Sequence, residues 1–247
     1  MALKGKVALV TGSTSGIGLG IARALAAEGA DIMLNGFGKA DEIEALRAGL
    51  VTEFSVKVAY DGADLSTAAG CAELVAKTQS TLGSLDILVN NAGMSTEEIG
   101  TDTTLTVSDA NLRKTFDTNF FAVVAVTNAL LPLLRKSEAG RIVNVSSILG
   151  SLTLHATPGS PIYERKMFAY DASKTALNAY TVHLAVSLRD TKIKVNSAHP
   201  GWVKTDLGTS AAMLEVADGA KTEVQLATLG EDGPSGGYFH LGETLPW

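Results

Sequence analysis

The feature that most constrains this chain is a rhythm of short apolar runs without polar alternation, each followed by a longer helical pattern. Val7–Val10, Asp31–Asn35, Val56–Tyr60, Asp86–Val89, Arg141–Val145, Lys194–Ala198 and a short last run in Gly236–Leu241 read as strands. Between them, Gly16–Glu28, Ala40–Leu50, Ser66–Leu82, Ser108–Arg135 and Ala169–Leu188 read as helices. Ser66 is the expected N-cap of the third, and Pro132 the expected break or bend in the fourth. Strands that are apolar on both sides belong in a parallel sheet covered by helices on both faces. Right-handed crossovers then give a doubly wound α/β sheet of about seven strands. No internal repeat or linker interrupts the 247 residues, which predicts a single domain. Ser151–Arg165, with Pro158, Gly159, Ser160 and Pro161, shows no period and reads as an inserted loop or lid over the active site.

The turn between the first strand and first helix is Thr11-Gly12-Ser13-Thr14-Ser15-Gly16-Ile17-Gly18. Gly12 permits a sharp exit from the strand. Gly16 and Gly18 remove side chains where backbone must approach a pyrophosphate and where helix packs on strand. The helix start offers free N–H groups and partial positive charge to phosphate. Placed after the first strand of a βαβ unit, this turn predicts a Rossmann-type dinucleotide site. Thr14, Ser15 and Ile17 complete its expected contacts.

Tyr170 and Lys174 are four residues apart in a helical stretch, so both lie on one face. Reduction of a carbonyl needs a proton for the oxygen as hydride reaches the carbon. A free tyrosine titrates near ~10, and a neighbouring ammonium lowers that by roughly 1–3. The pair therefore suits general acid–base work. At the end of the fifth strand, Ser146 and Ser147 each offer a hydroxyl to a substrate oxygen, and strand alternation lets only one face the site.

Taken together, these motifs resemble the short-chain dehydrogenase/reductase family, whose turn reads T-G-x-x-x-G-x-G. Asn90-Asn91-Ala92-Gly93 is similar to the family's N-N-A-G, which steadies the sheet and flanks the adenosine ribose. Asp64-Leu65 falls where members contact adenine, and Pro200-Gly201-Trp202-Val203-Lys204-Thr205 resembles the segment that closes on the nicotinamide carboxamide. Asn91, Ala92, Gly93, Asp64, Leu65, Pro200, Gly201, Val203 and Thr205 thereby join the expected cofactor contacts. The resemblance, through Ile142-Val-Asn-Val-Ser-Ser147, points to Ser147 as the polarising hydroxyl. It also implies that Asn119 supports a proton relay through a water, and that Lys174 binds the nicotinamide ribose. The implied activity is interconversion of a ketone or aldehyde with its alcohol, the nicotinamide carrying the hydride.

Other chemistries are disfavoured. A net charge of −6 is wrong for nucleic acid, which needs clustered cations. Cys71 is the only cysteine, so no intrachain disulfide forms, and packing is its expected role. His155, His183, His199 and His240 lack metal-ligand spacing, and no metal is expected. No apolar run reaches the ~20 residues that span a bilayer, and with no leader pattern at Met1–Lys6 the expected address is the cytoplasm.

For the cofactor, the end of the second strand should read the adenosine ribose, an acidic residue favouring NAD and an arginine NADP. Here stands the neutral Asn35-Gly-Phe-Gly-Lys39, with Asn35 and Phe37 as the candidate contacts. Ala30–Gly38 is similar to NAD-dependent bacterial 3-hydroxybutyrate dehydrogenases, so NAD(H) is expected over NADP(H). The second half departs from that subgroup. Phe116–Trp247 is similar to carbonyl-reductase-type members, and the glutamine and histidine that grip the hydroxybutyrate carboxylate are missing, with Ser95 and Leu149 nearest. A mosaic, a chimera and simple divergence all predict such a pattern. Ser147 lies 23 residues before Tyr170, beyond the family's usual interval, so extra residues sit over the site. Leu152, Leu154 and Ile162 would make an apolar cover there, suiting a carbonyl with hydrophobic substituents. The alternatives are 3-hydroxybutyrate-type oxidation and, from another class, a non-catalytic dinucleotide sensor. An insertion before the last long helix implies a monomer or homodimer rather than a tetramer.

Overall fold

A computed structural model describes residues 2–97 and 103–247. Their centre is an eight-stranded sheet in the order β3-β2-β1-β4-β5-β6-β7-β8. The strands are β1 (Val7–Val10), β2 (Asp31–Asn35), β3 (Val58–Asp61), β4 (Ile87–Asn90), β5 (Arg141–Val145), β6 (Lys194–Ala198), β7 (Tyr238–His240) and β8 (Glu243–Thr244). All pairings are parallel except β7 with β8. The strand order reverses between β1 and β4, and such a switch point opens a crevice at the carboxyl ends of the strands. The eighth strand is two residues long and was not expected, because two residues carry no period.

Helices α1 (Gly16–Ala27), α2 (Ala40–Phe54), α3 (Ala68–Leu82), α4 (Asp109–Phe116), α5 (Ala122–Leu134), α6 (Leu152–Ala156), α7 (Phe168–Ser187), α8 (Val216–Gly219) and α9 (Lys221–Ala227) surround the sheet. Two apolar cores result, one on each face. Ile21, Leu25, Ile32, Leu34 and Leu226 belong to the first. Leu9, Met33, Leu74, Leu88 and Leu130 belong to the second, as does Cys71, whose thiol burial pushes its pKa up.

Several local expectations need correction. Thr67, not Ser66, caps α3: its hydroxyl accepts from Gly70 N at 3.0 Å, while Ser66 N donates to Asp64 at 2.9 Å. The long helix runs on through a π-helical turn, Asp117–Phe121, and passes Pro132 before ending at Leu134, so the proline does not interrupt it. Pro132 lies two residues before the end of α5, where its missing N–H removes one bond without ending the helix early. Asp109–Leu134 passes, by length and composition, as a membrane-crossing helix, which the reading of apolar runs did not register. Its Val126, Leu130, Leu133 and Leu134 are buried in the second core. The segment Ser151–Arg165 is partly helical: Ser151 caps α6 by accepting from Leu154 N at 3.2 Å.

Below the crevice, a buried polar chain ties the middle strands together. Asn90 donates to Asn144 at 2.8 Å and to Thr127 at 2.9 Å; Asn144 donates to Thr181 at 2.8 Å; Ser197 and Thr181 share a bond at 2.9 Å. Every member has a partner, so the chain fixes the register of β4, β5 and β6 under the site.

Candidate active site

The glycine turn builds one end of the crevice. Gly12 has φ +61, and a Cβ there would come within 3.0 Å of the Ala92 backbone. A Cβ on Gly18 would come within 2.2 Å of the Gly12 carbonyl, so α1 seats directly on the turn. Thr11, which the sequence reading passed over, organises the partner strand: its hydroxyl accepts from Asn91 N and Ala92 N, each at 3.0 Å. Asn91 returns the contact, donating its side-chain amide to the carbonyls of Thr11 at 2.9 Å and Gly12 at 3.1 Å. Thr14 donates to the Phe37 carbonyl at 2.8 Å, which anchors the loop after β2.

From this turn a cavity of about 750 Å³ runs along the carboxyl ends of the strands. Gly12, Thr14, Ser15, Gly16, Ile17 and Gly18 line it, as do Asn35, Phe37, Asp64 and Leu65 at one end. Asn91, Ala92 and Gly93 line its middle, and Tyr170, Lys174, Pro200 and Thr205 its other end. Nothing in the sequence pointed to Met94, Thr118, Leu207 and Val216, which also line it. No motif spacing marks them; they arrive by folding. Gly201 and Val203 lie behind the wall. Val203 is buried, bridged to Leu214 and packed on Gly219, and Gly201 packs on Leu214.

Asn35 lines the cavity but does not have a free side-chain amide. That group donates to the carbonyls of Asp61 and Ala63, each at 3.1 Å, and so holds β2 to the loop after β3. The expected ribose reader is spent on the scaffold. Lys39, the nearest cation in sequence, is exposed and paired with Glu42 at 2.8 Å.

At the far end, α7 carries both Tyr170 and Lys174. Lys174 is buried, and its ammonium donates to the Val145 carbonyl at 2.8 Å, 5.6 Å from the Tyr170 ring centroid. Burial alone lowers its pKa to about 8. Tyr170 departs from expectation: its pKa is pushed up to about 12. Burial outweighs the Ser147 hydroxyl, which favours the phenolate, and the Asp171 charge disfavours it further. The lysine ammonium is held by a backbone carbonyl, so it does not reproduce the expected lowering in the cofactor-free site. The two serines divide their partners: Ser147 faces the Tyr170 phenol without lining the cavity, and Ser146 lines the cavity and lies beside the buried phenol of Tyr238.

Asn119 sits in the π-helical turn, fully buried. Its carbonyl oxygen accepts from Met94 N at 2.8 Å, and its amide donates to Met94 O at 2.8 Å and Ser173 at 3.0 Å. It does not bond Lys174 directly. A Cβ on Gly93 would lie 3.3 Å from the Lys174 ammonium and 3.4 Å from the Asn119 oxygen, which places both polar groups around one gap.

His199 is a further positioning group. Its ring lies tilted against His240 with the centroids 4.7 Å apart, and desolvation followed by the His240 charge lowers its pKa to about 3. Neutral, its Nδ1 accepts from Ile148 N and Gly201 N, each at 3.3 Å, joining the serine strand to the Pro200 loop. Among the described residues no cluster of His, Cys, Asp and Glu could hold a metal.

The inserted segment does not roof the cavity. Leu152 is largely exposed, Ile162 is buried, and neither they nor Leu154 line it. The segment is instead pinned beside it. His155 Nε2 bonds the Leu149 carbonyl at 2.9 Å and approaches Asp171 at 3.3 Å; Arg165 stacks over Trp202 at 5.2 Å.

A dinucleotide fits this arrangement, on the close-packed glycine cradle and the cavity volume, which is typical of cofactor sites. The likeness to known proteins agrees. The short chain dehydrogenase family model matches residues 6–213. D-beta-hydroxybutyrate dehydrogenase of Cupriavidus necator is 39% identical over 211 residues, covering 83% of this chain and 73% of that protein. Short-chain dehydrogenase/reductase 1 of Saponaria officinalis is 31% identical over 297 residues, covering 98% and 96%. The solved NADPH-bound carbonyl reductase from chicken fatty liver superposes with a TM-score of 0.85 at 25% identity, covering 99% of this chain and all of that one. The glycine turn, the serine strand and the Tyr–Lys helix all lie inside the family match, and the chain belongs to the short-chain dehydrogenase family of oxidoreductases.

Proposed function

We propose that the chain reduces aldehydes or ketones to alcohols reversibly, with Tyr170 as the proton donor and acceptor and NAD(H) as the preferred cofactor. The observation that carries this reading is convergence: Tyr170 and Lys174 line the same cavity as the glycine turn, and Ser147 faces the Tyr170 phenol. When bound, the nicotinamide supplies or takes the hydride and, oxidised, brings a positive charge. The chain's own residues do the rest. Tyr170 delivers a proton to the carbonyl oxygen or removes it from the alcohol. Ser147 donates to that oxygen and stabilises its developing charge. Lys174 holds its ammonium at the cavity wall, within reach of a ribose, and Asn119 fixes the Met94 backbone beside it.

NAD is favoured by electrostatics. At the end lined by Asn35, Phe37, Asp64 and Leu65, the only charged side chain is Asp64, whose bonds from Ser66 hold its pKa low. A carboxylate there repels a 2′-phosphate, and Lys39 is already paired. The NADPH in the chicken relative is the opposing consideration. A second reading, 3-hydroxybutyrate oxidation, is supported by the 39% identity to the Cupriavidus enzyme. Against it, Ser95 and Leu149 provide no cationic grip for a carboxylate, and the Leu149 carbonyl is taken by His155. Purified protein assayed with NADH and NADPH against acetoacetate, isatin, menadione and an aliphatic ketone series separates the readings. Turnover of the uncharged carbonyls with NADH supports the proposal; turnover of acetoacetate alone supports the second reading. Tight NADH binding with no turnover of any carbonyl would identify a sensor.

A further inference from the structure

Helix α7 begins without a cap of its own: Met167, at its N-cap position, makes no side-chain capping bond. Two of the N–H groups that its first turn leaves over are met from a distant segment. The Glu97 carboxylate forks across them, accepting from Ala169 N at 3.0 Å and from Tyr170 N at 2.8 Å. An acidic group at a helix start also meets the positive end of the helix dipole. We propose that Glu97 is a positioning residue for the reaction, holding the Tyr170 backbone in register with Ser147 and Lys174. The inference rests on Tyr170 being the acid–base group.

The bonds around Glu97 form a closed circuit. Its own segment follows Gly93, where Asn119 clamps Met94 at both N–H and carbonyl, each at 2.8 Å. Thr96 ties the same segment to α4, donating to the Asn111 carbonyl at 3.2 Å and bonding Thr115 at 3.0 Å. Glu97 then takes the Tyr170 N–H. The Tyr170 carbonyl is held in turn by Ser173, whose hydroxyl donates to it at 2.7 Å and accepts from the Asn119 amide at 3.0 Å. The residue that bears the phenol is thus gripped at both its backbone polar groups, and both grips lead back to Asn119. Asp171 closes the first turn by accepting from Met167 N at 2.9 Å. With the phenol placed through this backbone as well as by the Ser147 hydroxyl, a displacement of the first turn moves its oxygen relative to the hydride path, where a misplacement of about 1 Å can cost about 10²-fold in rate.

The test compares Glu97→Gln, Glu97→Ala and Tyr170→Phe with the unaltered chain, using NADH and isatin. Glutamine keeps the shape but has one accepting oxygen, so it retains one of the two bonds; alanine retains neither. Expected are a fall in kcat of about tenfold for Glu97→Ala and about threefold for Glu97→Gln. The NADH dissociation constant, read by quenching of tryptophan fluorescence, and the isatin KM should stay within twofold. A kcat within twofold of the unaltered chain in Glu97→Ala overturns the proposal. So does a kcat that falls only in step with the amount of NADH bound, which marks a purely structural role. If Glu97→Ala does not accumulate, the isosteric Glu97→Gln decides alone, and an unchanged kcat there overturns the proposal. Full activity in Tyr170→Phe would instead sink the acid–base reading; inactivity there with unaltered Glu97 variants sinks only the positioning.

Discussion

Burial sets the working range of the individual groups at this site. Lys174 loses its proton more easily than a free lysine because its ammonium is desolvated, and its pKa falls to about 8. The ammonium is therefore present below that value and lost above it. The kcat/KM for carbonyl reduction is expected to hold through neutral pH and decline on the alkaline side with an apparent pKa near 8; a profile level to pH 10 would contradict this assignment. The paired serines give a second expectation. Ser147 faces the Tyr170 phenol, whereas Ser146, which lines the cavity, lies beside the Tyr238 phenol. Ser147→Ala should lower kcat about 10²-fold, the usual loss for one donor to a developing oxyanion, while Ser146→Ala stays within a few-fold. Equal losses, measured at saturating NADH, would mean that strand alternation does not divide the two hydroxyls. Strand alternation says only that the two serines part company, and the choice of Ser147 came from the family motif alone. The high pKa of Tyr170 was not legible, since it depends on desolvation by residues distant in the chain.

At the scale of elements, the glycine turn and α1 act as one unit. With the Gly12 carbonyl 2.2 Å from where a Gly18 Cβ would stand, Gly18→Ala must lift α1 off the turn. NADH affinity should fall by at least about tenfold, and titration of the purified variant would show it; unchanged binding would contradict the cradle. This unit could be read from sequence because each glycine answers a local steric demand next to a strand of unmistakable apolar pattern. The π-helical turn between α4 and α5 could not. Pro132 is the only helix breaker in that stretch, yet the backbone deviates at Asp117–Phe121, where an extra residue per turn leaves no compositional mark. The five-residue α6 and two-residue β8 escaped for the plainer reason that neither is long enough to show a period. The engagement of the Asn35 amide was not legible for a topological reason: it finds Asp61 and Ala63 only once β2 and β3 are side by side.

At the scale of the whole molecule, the reacting groups lie apart from the inserted segment. Sheet, turn and α7 bring the reacting groups together, while the inserted segment is anchored beside them through His155, Arg165 and the bond from Thr153 N to the Trp247 carbonyl at 2.8 Å. On the outer side of α4 and α7, Leu112, Phe116, Phe121, Phe168 and Ala172 line a shallow apolar depression. An isologous contact across this depression would pair two copies, so light scattering is expected to give a monomer or dimer, and a clean tetramer would refute that. In the proposed reaction, proton transfer passes through the Tyr170 phenol at the end of a nicotinamide cavity. Its most direct test is the Tyr170→Phe variant, which keeps the ring and removes only the hydroxyl. The account predicts NADH binding within twofold of the unaltered chain and a loss of carbonyl reduction of about 10³-fold or more. Retention of activity to within tenfold, with NADH bound as before, would contradict it.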